Sequence, residues 1–516
     1  RARALAISVS SGRIVAVGDD AEMKALLGPE GQAVDLGGRT AVPAFADSHI
    51  HVMSWSLRLR QIDLAGVPAL DKALARVAAR AEATPTGQWL TGRGWDHSLW
   101  SGGGFPTRHD LDGVAPDHPV WLRRKCGHAG WANSRALALA GITAGTPDPA
   151  GGAIERAADG EPTGILKETA MSLVSDLIQE PTMAEATEAI QAATAAAHRH
   201  GLVSVHTMEG PDALRAFQQL HAGGELDIRV LIQIPEENLE AAVCLGLRSG
   251  LGDDRLRIGG VKIFADGALG ARTAAMLAPY EGEPDNLGIA IAGAEALTGM
   301  VRQAGRAGLA AFVHAIGDRA NRDVLDAVEA SRRAGEGLHL RHRIEHVQIL
   351  HPDDVPRLAR LGVVASMQPL HATQDMLLAD ALWGRRCAGA YAWRSLLDSG
   401  AVLAFGSDAP VEDLSVLSGI HAAVTPQRPD GSPGPEGWIP QERLSAAEAL
   451  RAYTVGAAYA GGEEAIKGTL SPGKLADVAV LSRDILTIAP AEILDTEVVA
   501  TLLDGKFVYR QESAFS

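Results

Sequence analysis

Short apolar β-like runs alternate with longer Ala-rich segments of helical periodicity along most of this chain. This alternation is typical of βαβ units around a parallel sheet, and it favours a barrel or a doubly wound α/β fold. Amphipathic stretches such as 183–199 and 320–334 predict the helices. The β-like runs number eight, at 40–45, 202–206, 228–234, 260–264, 309–314, 343–346, 363–367 and 402–406. We therefore predict an α/β fold with a (β/α)8 TIM-like barrel.

Two regions fall outside this alternation. The chain ends carry short β-like runs with Gly and Asp turns, at 4–9, 13–17, 477–481 and 497–509, which could pair into one small sheet. A stretch from about 65 to 167, rich in Gly, Pro and Trp, separates the first two predicted barrel strands. Because very long connections in compact domains are usually functional or separate units, we predict an inserted lid or side domain after barrel strand 1.

Composition and charge exclude several classes of protein. The 516 residues carry 63 acidic and 47 basic groups, and the net charge of −16 disfavours nucleic-acid and membrane-surface partners. No apolar run approaches the roughly 20 residues that span a bilayer. Cys126, Cys244 and Cys387 are too far apart to predict a disulfide framework or a cysteine zinc site. We expect a cytoplasmic protein without a signal segment, which acts on a small-molecule substrate and could form a homodimer.

The first candidate site lies in Asp47-Ser48-His49-Ile50-His51, directly after an extended run. Side chains two apart on a strand point to the same face, so the imidazoles of His49 and His51 converge. Such a pair either binds a metal or forms hydrogen bonds on a loop, and the motif alone leaves both interpretations open.

Lys262 lies in the apolar run Gly-Gly-Val-Lys-Ile-Phe-Ala-Asp, where an unpaired ammonium is costly to bury. Desolvation would lower the pKa of the amine and make it nucleophilic, so that it could form a carbamate with carbon dioxide and bridge two metal ions. The alternatives are a lysine that extends its amine to solvent and one that pairs with Asp266.

His314 and His346 each end a short apolar run, and Asp408 follows another such run and precedes Ala-Pro. Each of the three alone is typical of a structural role, such as a turn for the aspartate. The joint arrangement is more informative, since every candidate falls at the C-terminal end of a β-like run. Barrel enzymes place their chemistry on that face.

These motifs together resemble the amidohydrolase superfamily, specifically the YtcJ-like branch that includes N-substituted formamide deformylases. The resemblance runs nearly end to end. The matching segments are FADSHIH at 45–51, GRGWD at 92–96, GHAGWANSRAL at 127–137, GEPTGILKE at 160–168, VKIFADGALGARTA at 261–274, HAIGD at 314–318, RIEHVQ at 343–348, GSDAPVE at 406–412 and GTLSPGKLADVAVL at 468–481.

The resemblance implies a domain division and a metal centre. Residues 1–42 and 466–516 would form a small β-sandwich, and residues 43–465 the metal-dependent hydrolase barrel. His49, His51 and Asp408 would hold one metal ion, His314 and His346 would hold a second, and carbamylated Lys262 would bridge them. The implied cofactor is zinc, with two divalent ions.

The implied reaction is hydrolysis of a non-peptide, N-acyl or N-formyl amide C–N bond by a hydroxide formed from metal-bound water. Asp408 would act as the general acid and base that passes a proton to the departing amine. Candidate substrate-binding residues complete the prediction. They are Trp95, Asp96 and His128 in the insertion, His206 after the second strand, and Gln368 and His371 after the seventh.

Three other functions remain open on the sequence. A mononuclear deaminase-type amidohydrolase would keep His-x-His and the strand-end aspartate without a carbamylated lysine. A non-catalytic binding protein could share the fold, because fold does not imply function. A nucleotide-dependent enzyme is disfavoured, since the sequence has no phosphate-binding Gly-rich loop after the first strand.

Overall fold

Eight parallel strands form the sheet that organises the larger part of the molecule in the computed structural model. The model describes residues 4–8, 12–29, 31–101, 104–125 and 127–512, so Cys126 and residue 9 of the first predicted strand lie outside the described residues. The barrel strands are β1 (Phe45–Ile50), β2 (Leu202–Met208), β3 (Arg229–Pro235), β4 (Leu256–Phe264), β5 (Ala310–Ala315), β6 (Arg343–His346), β7 (Val364–Met367) and β8 (Leu403–Phe405). Each is hydrogen-bonded to its neighbour in chain order. The predicted barrel is confirmed.

The barrel closes where β1 and β8 end. There the backbone N–H of Asp408 donates to the carbonyl of His49 at 2.7 Å, and the N–H of His51 donates to the carbonyl of Ala409 at 2.8 Å. The buried carboxylate of Asp47 adds a further connection, since it accepts hydrogen bonds from the N–H groups of His49 and Ser407, both at 3.0 Å. The two ends of the sheet are thus joined next to candidate site residues.

The first barrel strand was predicted at the wrong position. Residues 40–45 do not form one strand, because Thr40–Pro43 pairs antiparallel with Val478–Leu481 in a different sheet. The chain changes sheets at Ala44, whose N–H donates to the carbonyl of Asp477, and β1 begins at Phe45. All six residues of β1 are buried, as expected for a strand covered on both faces.

Helices cover the outside of the barrel. In Asp318–Arg333, for example, Ala320, Val324 and Val328 recur every four residues and are buried against the sheet. The described α-helices of the barrel unit and its borders are Asp20–Ala25, Val52–Leu59, Met183–Arg199, Pro211–Ala222, Leu239–Cys244, Ala294–Ala307, Asp318–Arg333, Val355–Leu361, Pro369–Trp383, Trp393–Asp398, Val416–Val424, Ala446–Arg451 and Ala457–Gly461, with a π-helical turn at Ala452–Gly456.

The two chain ends form antiparallel sheet structure, but in two sheets rather than the one small sheet that the β-like runs predicted. One sheet has the strand order Lys506–Arg510, Val498–Leu503, Val478–Leu481, Thr40–Pro43. The hairpin of Ala4–Ser8 and Arg13–Gly18 joins the C-terminal segment through reciprocal backbone bonds between Ile14 and residues 473–474. The buried guanidinium of Arg229 in β3 donates twice to Asp477, at 2.8 Å each, and so ties this domain to the barrel.

The insertion between β1 and β2 is a compact unit of its own. The chain divides into Arg1–Trp55 with Ile190–Ser516, and Ser56–Ala189, so the inserted unit is longer than the predicted 65–167. Its six strands run in the order Ile62–Asp63, Leu90–Trp95, Val120–Arg124, Ala129–Ala132, Pro162–Glu168, Gly152–Arg156. Its helices of four or more residues are Leu70–Glu82, Arg108–Asp112, Ser134–Leu139 and Ser172–Ser175. A separate apolar core explains why this unit folds as a body.

Among the described residues, no helix combines the length and the apolar character that crossing a bilayer requires.

Candidate metal centre

Three predicted ligands lie together at the C-terminal end of the barrel. One side-chain ligand atom from each of His49, His346 and Asp408 falls within 4.8 Å of the other two, and all three residues are buried. His51 joins them, since its Nε2 lies 3.3 Å from Oδ1 of Asp408. The ring of His314 lies 4.5 Å from that of His346, centroid to centroid.

Strand register explains this convergence. His314 is paired with Glu345 across β5 and β6, and Ala315 is paired with His346, so the two histidines project from adjacent strand ends. Closure of β8 onto β1 brings Asp408 to His49. Both His346, with φ +78°, and Asp408, with φ +60°, have a left-handed backbone that non-glycine residues seldom adopt. Such conformations cluster at functional sites, where the surrounding structure holds them.

The four histidines each commit one ring nitrogen to an oxygen acceptor. Nδ1 of His49 lies 2.6 Å from the Glu345 carboxylate, and Nδ1 of His51 lies 3.1 Å from the carbonyl of Met208. Because an acceptor oxygen fixes the proton on the nitrogen that faces it, Nε2 of each ring has the lone pair when that ring is neutral. In both rings Nε2 faces the Asp408 carboxylate, at 3.5 Å for His49 and 3.3 Å for His51.

The other two rings follow the same rule. Nδ1 of His346 lies 2.8 Å from Oε1 of Gln368, and Nε2 of His314 lies 2.9 Å from the carbonyl of Gly267. His346 therefore keeps the lone pair of Nε2, and His314 that of Nδ1. Histidine ligands of metal ions characteristically donate their second nitrogen to an oxygen in this way.

Burial keeps three of these imidazoles neutral, which is the form that binds a metal ion, whereas for His51 the hydrogen bond and charge of Asp408 outweigh burial and raise the pKa. Burial lowers the pKa of His314 to about 4, with a further contribution from the positive charge of Lys262. Burial likewise holds the pKa of His49 and of His346 well below 6.5. Although burial opposes ionisation of Asp408, the hydrogen bond and charge of His51 help to hold the pKa of its carboxyl well below the usual range.

Lys262 of β4 is 5% exposed and lies among these residues. Burial lowers the pKa of its amine to about 8, against the opposing charges of Glu345 and Asp408. In the described part of the chain, its amine forms no ion pair with a carboxylate. Asp266 is engaged elsewhere, since its carboxylate accepts hydrogen bonds from the N–H groups of Ala275, Ile316 and Gly317. The pairing of Lys262 with Asp266 that the sequence left open is therefore not observed.

Two fully buried charges beneath the histidines were not predicted as site residues. Glu345, which accepts from His49, lies 2.8 Å from the guanidinium of Arg343, and both side chains have 0% exposure. Arg343 also donates to the Ser48 carbonyl and to the hydroxyl of Ser366. Their spacing is a usable signal, because charged residues at i and i+2 of an apolar strand point to the same face.

The three barrel candidates for substrate contact occupy different surroundings. Gln368 is 1% exposed and contacts His346, as described above. His206 has no exposed surface, and its Nδ1 lies 2.8 Å from Arg343. His371 is 7% exposed, and its Nε2 lies 3.5 Å from Oδ2 of Asp408. The substrate contacts assigned to these residues stay predictions.

Comparison with known proteins agrees with this geometry. The model of the family described as "Amidohydrolase family" matches residues 32–509. The chain belongs to this amidohydrolase family. It is 35% identical to protein LONG AFTER FAR-RED 3 of Arabidopsis thaliana, over 98% of this chain and 88% of that protein. It is 34% identical to putative amidohydrolase YtcJ of Bacillus subtilis, over 99% and 96% of the two chains.

One further relative and one solved structure bear on the reaction class. This amidohydrolase is 30% identical to N-substituted formamide deformylase of Arthrobacter pascens, over 98% of this chain and 95% of that one. The crystal structure of an uncharacterized metal-dependent hydrolase from Pyrococcus furiosus superposes with a TM-score of 0.75 and 31% identity, over 92% and 94% of the two chains. Membership in the YtcJ-like group of amidohydrolases, predicted from the motifs, is confirmed.

The three remaining candidates lie in the inserted unit of the amidohydrolase. Trp95 is fully buried and donates from Nε1 to the carbonyl of Leu122 at 2.8 Å. Asp96 accepts from the N–H of Ser98. Nδ1 of His128 lies 3.1 Å from the Glu168 carboxylate, and the His128 side chain is 70% exposed at a cavity of about 540 Å³. Of the three, His128 is the one with substantial surface to offer a ligand.

Proposed function

We propose that this amidohydrolase hydrolyses a C–N bond of a non-peptide amide, such as an N-acyl or N-formyl amide, with divalent metal ions as cofactor. The observation that carries the proposal is the cluster of four histidines and Asp408 at one end of the barrel, with one ring nitrogen of each histidine held by an oxygen. The similarity to N-substituted formamide deformylase supports the choice of an amide bond.

The donor set suits a divalent ion of borderline softness, and we propose zinc. The side chains that would hold two ions are His49, His51 and Asp408 for one, and His314 and His346 for the other. When bound, such ions lower the pKa of a water molecule towards neutrality and polarise a carbonyl oxygen.

Lys262 would connect the two groups of ligands as a carbamate. In that reaction the neutral amine attacks carbon dioxide, a new N–C bond forms, one C–O π pair moves onto oxygen, and the amine proton leaves to solvent. Burial of Lys262 and its pKa of about 8 favour the neutral, nucleophilic amine. The missing counter-ion supports the same step, since carbamylation exchanges a buried cation for an anion that metal ions neutralise.

Asp408 would carry the proton that the reaction has to move. Its carboxylate is ionised, because the hydrogen bond and charge of His51 help to hold its pKa low, and so it can accept a proton from the attacking water. Oxygen attacks the amide carbon, and the C–N bond then breaks as the proton passes from Asp408 to the departing nitrogen. The products are a carboxylic acid and a neutral amine, so that no amine anion has to leave.

Metal content per chain tests this proposal most directly. We expect close to two zinc ions per chain in purified protein and fewer in Lys262→Ala, with wild-type occupancy rising when bicarbonate is added. Lys167→Ala is the matched control, because Lys167 lies in the inserted unit and pairs with Glu155. One ion per chain, unaffected by Lys262→Ala, would instead favour the mononuclear deaminase-type reaction. Activity on N-formyl and N-acetyl amides then tests the bond.

A further inference from the structure

We propose that a group of polar side chains near Asp408, here called the acceptor pocket, binds the nitrogen half of the substrate and selects amines that carry an additional positive charge. The pocket consists of Gln348, His371, Asp375, Tyr391 and Glu412. This inference rests on the proposed amide hydrolysis and adds the class of amine to it.

The two carboxylate oxygens of Asp408 face different groups. Oδ1 lies beside Nε2 of His49 and Nε2 of His51, at 3.5 and 3.3 Å. Oδ2 lies 3.5 Å from Nε2 of His371, which stands outside the four candidate ligand histidines. A leaving nitrogen that takes a proton from Asp408 can thus approach Oδ2 on the side of His371, away from the two histidines that lie beside Oδ1.

Gln348 fixes the tautomer of His371. The amide nitrogen of Gln348 lies 3.2 Å from Nδ1 of His371, so the amide donates and Nδ1 accepts. The ring proton then resides on Nε2 and points to Asp408. The other end of the same amide, Oε1 of Gln348, has no hydrogen-bond partner among the described residues, although Gln348 is only 2% exposed. A buried carbonyl oxygen without a donor is costly, and a ligand N–H would satisfy it.

Two carboxylates complete the acceptor pocket. Asp375 lies one helical turn after His371 on the helix Pro369–Trp383, and Glu412 follows Asp408 by one loop. Both are half-buried, and neither forms an ion pair with lysine or arginine within the described ranges. Burial raises the pKa of each carboxyl, and the charge of His371 partly opposes this effect in both. These are the properties of desolvated anions for which the chain supplies little positive charge.

Tyr391 lies next to Gln348, since its backbone N–H donates to the carbonyl of Gln348 at 2.8 Å. It is 1% exposed and makes edge-on contacts with Trp393 and Trp438, with ring centroids 5.9 and 5.8 Å away. Burial and the charges of Asp375 and Glu412 hold the pKa of its hydroxyl well above 10, so it stays protonated next to them. The hydroxyl of Tyr391 can also accept a ligand hydrogen bond.

Complementarity identifies the ligand class. The pocket offers two carboxylates, an unsatisfied amide oxygen and a hydroxyl, against one donor, Nε2 of His371. An ammonium group supplies positive charge and three N–H donors to such a site, whereas a carboxylate would be repelled and an alkyl group would leave the acceptors unsatisfied. Amides of diamines, with one nitrogen acylated and the other charged, are therefore the expected substrates.

Paired substrates and variants test this inference. We expect kcat/KM for N-formyl-1,4-diaminobutane to exceed that for neutral N-formylpentylamine by about tenfold or more in the metal-loaded enzyme. Glu412→Gln and Asp375→Asn, made separately, should each lower this ratio several-fold, and Glu240→Gln on the exposed side of helix Leu239–Cys244 should preserve it. Equal ratios in the wild type and both pocket variants would overturn the inference.

A binding measurement separates this inference from the proposed reaction. By calorimetry, 1,4-diaminobutane should bind the metal-loaded wild type about tenfold more tightly than 1,4-butanediol, and Glu412→Gln should reduce that preference. Diamine binding without hydrolysis of any amide would retain the pocket and reject the reaction. Amide hydrolysis without a preference for the diamine would retain the proposed reaction and reject the acceptor pocket. Circular dichroism identifies a pocket variant that fails to fold, and the preference measured with the other pocket variant then tests the inference.

Discussion

At the scale of single residues, the candidate centre depends on which nitrogen of each histidine carries the proton. Glu345, Met208, Gly267 and Gln368 each place an oxygen against one ring nitrogen, so the lone pairs of the four rings have fixed positions before any ion arrives. A ring that is held in this way loses little rotational freedom on binding a metal. The strength of metal binding should therefore respond to residues that never touch the ion.

Gln368 provides the first test of this dependence. Gln368→Met removes the acceptor of the His346 Nδ1–H while keeping a side chain of similar length, and we expect metal affinity to fall about 10- to 100-fold. Gln368→Glu keeps an oxygen in place and should retain most of the affinity. Competition with a chelator measures both. Equal affinities for the two variants would contradict the role given to this hydrogen bond.

Glu345 provides a test of stability. Glu345→Gln leaves the guanidinium of Arg343 buried without its carboxylate partner, so we expect the free energy of unfolding to fall by about 3–5 kcal/mol. The matched control is Glu188→Gln, which breaks an exposed pair with Arg60 and should cost less than about 1 kcal/mol. Urea unfolding of the metal-free proteins gives both values, and a similar small loss in each would be the contrary result.

The sequence predicted the residues of the site better than their partners. His49 and His51 could be found because their spacing on a strand is informative, and His314, His346 and Asp408 because each follows a β-like run. The role of Glu345 could not be read in the same way, since its contact with His49 joins residues 296 positions apart and depends on how the barrel closes. Pairing across a barrel is a property of register and closure, which local patterns do not encode.

At the scale of elements, the junction of β1 and β8 determines whether the site exists. The first predicted strand was displaced because residues 40–45 are as apolar and extended as a barrel strand, and periodicity cannot choose between two sheets. The later strands and the helix Met183–Arg199 were found close to their observed bounds, because long periodic segments carry the strongest signal. What the local signal missed is the change of sheet at Ala44.

A substitution at Gly406 tests the junction of β1 and β8. A Cβ at this position would lie 2.5 Å from the backbone nitrogen of His49 and 2.6 Å from the carboxylate of Asp47, so Gly406→Ala must push β8 away from β1. We expect a loss of about 1–3 kcal/mol in stability together with a loss of metal binding. Gly299→Ala, in a helix with open space around the new methyl group, should be neutral or slightly stabilising. Thermal unfolding and metal content measure both effects.

At the scale of the whole molecule, the barrel unit contains several histidines that are neutral only because the chain is folded. Burial lowers the pKa of His342 to about 4 from the ordinary 6.5, and its Nδ1 accepts the N–H of Ala311 at 3.0 Å. Between pH 6.5 and pH 4 the unfolded chain binds a proton at this residue that the folded chain does not bind. The stability of the metal-free protein must therefore fall as the pH drops through this range.

His342→Asn measures the contribution of one such group. The asparagine oxygen can still accept from Ala311, and the side chain no longer titrates. We expect the slope of unfolding free energy against pH, between pH 6.5 and 4, to decrease by up to about 1.4 kcal/mol per pH unit relative to wild type. Urea unfolding at a series of pH values gives the slope. An unchanged slope would show that His342 is not a neutral buried group.

Closure of the barrel also orders events during synthesis of the chain. Asp47 and Ser407, which hydrogen-bond across the junction, are 360 positions apart, so one wall of the site leaves the ribosome long before the other. At about 5–20 residues per second, the interval is some tens of seconds. During that time His49 and His51 have no Asp408 opposite them, and a nascent or truncated chain presents only an incomplete set of ligands. With the metal cofactor proposed above, loading would thus be a late step of biogenesis, available to chains that have nearly finished translation.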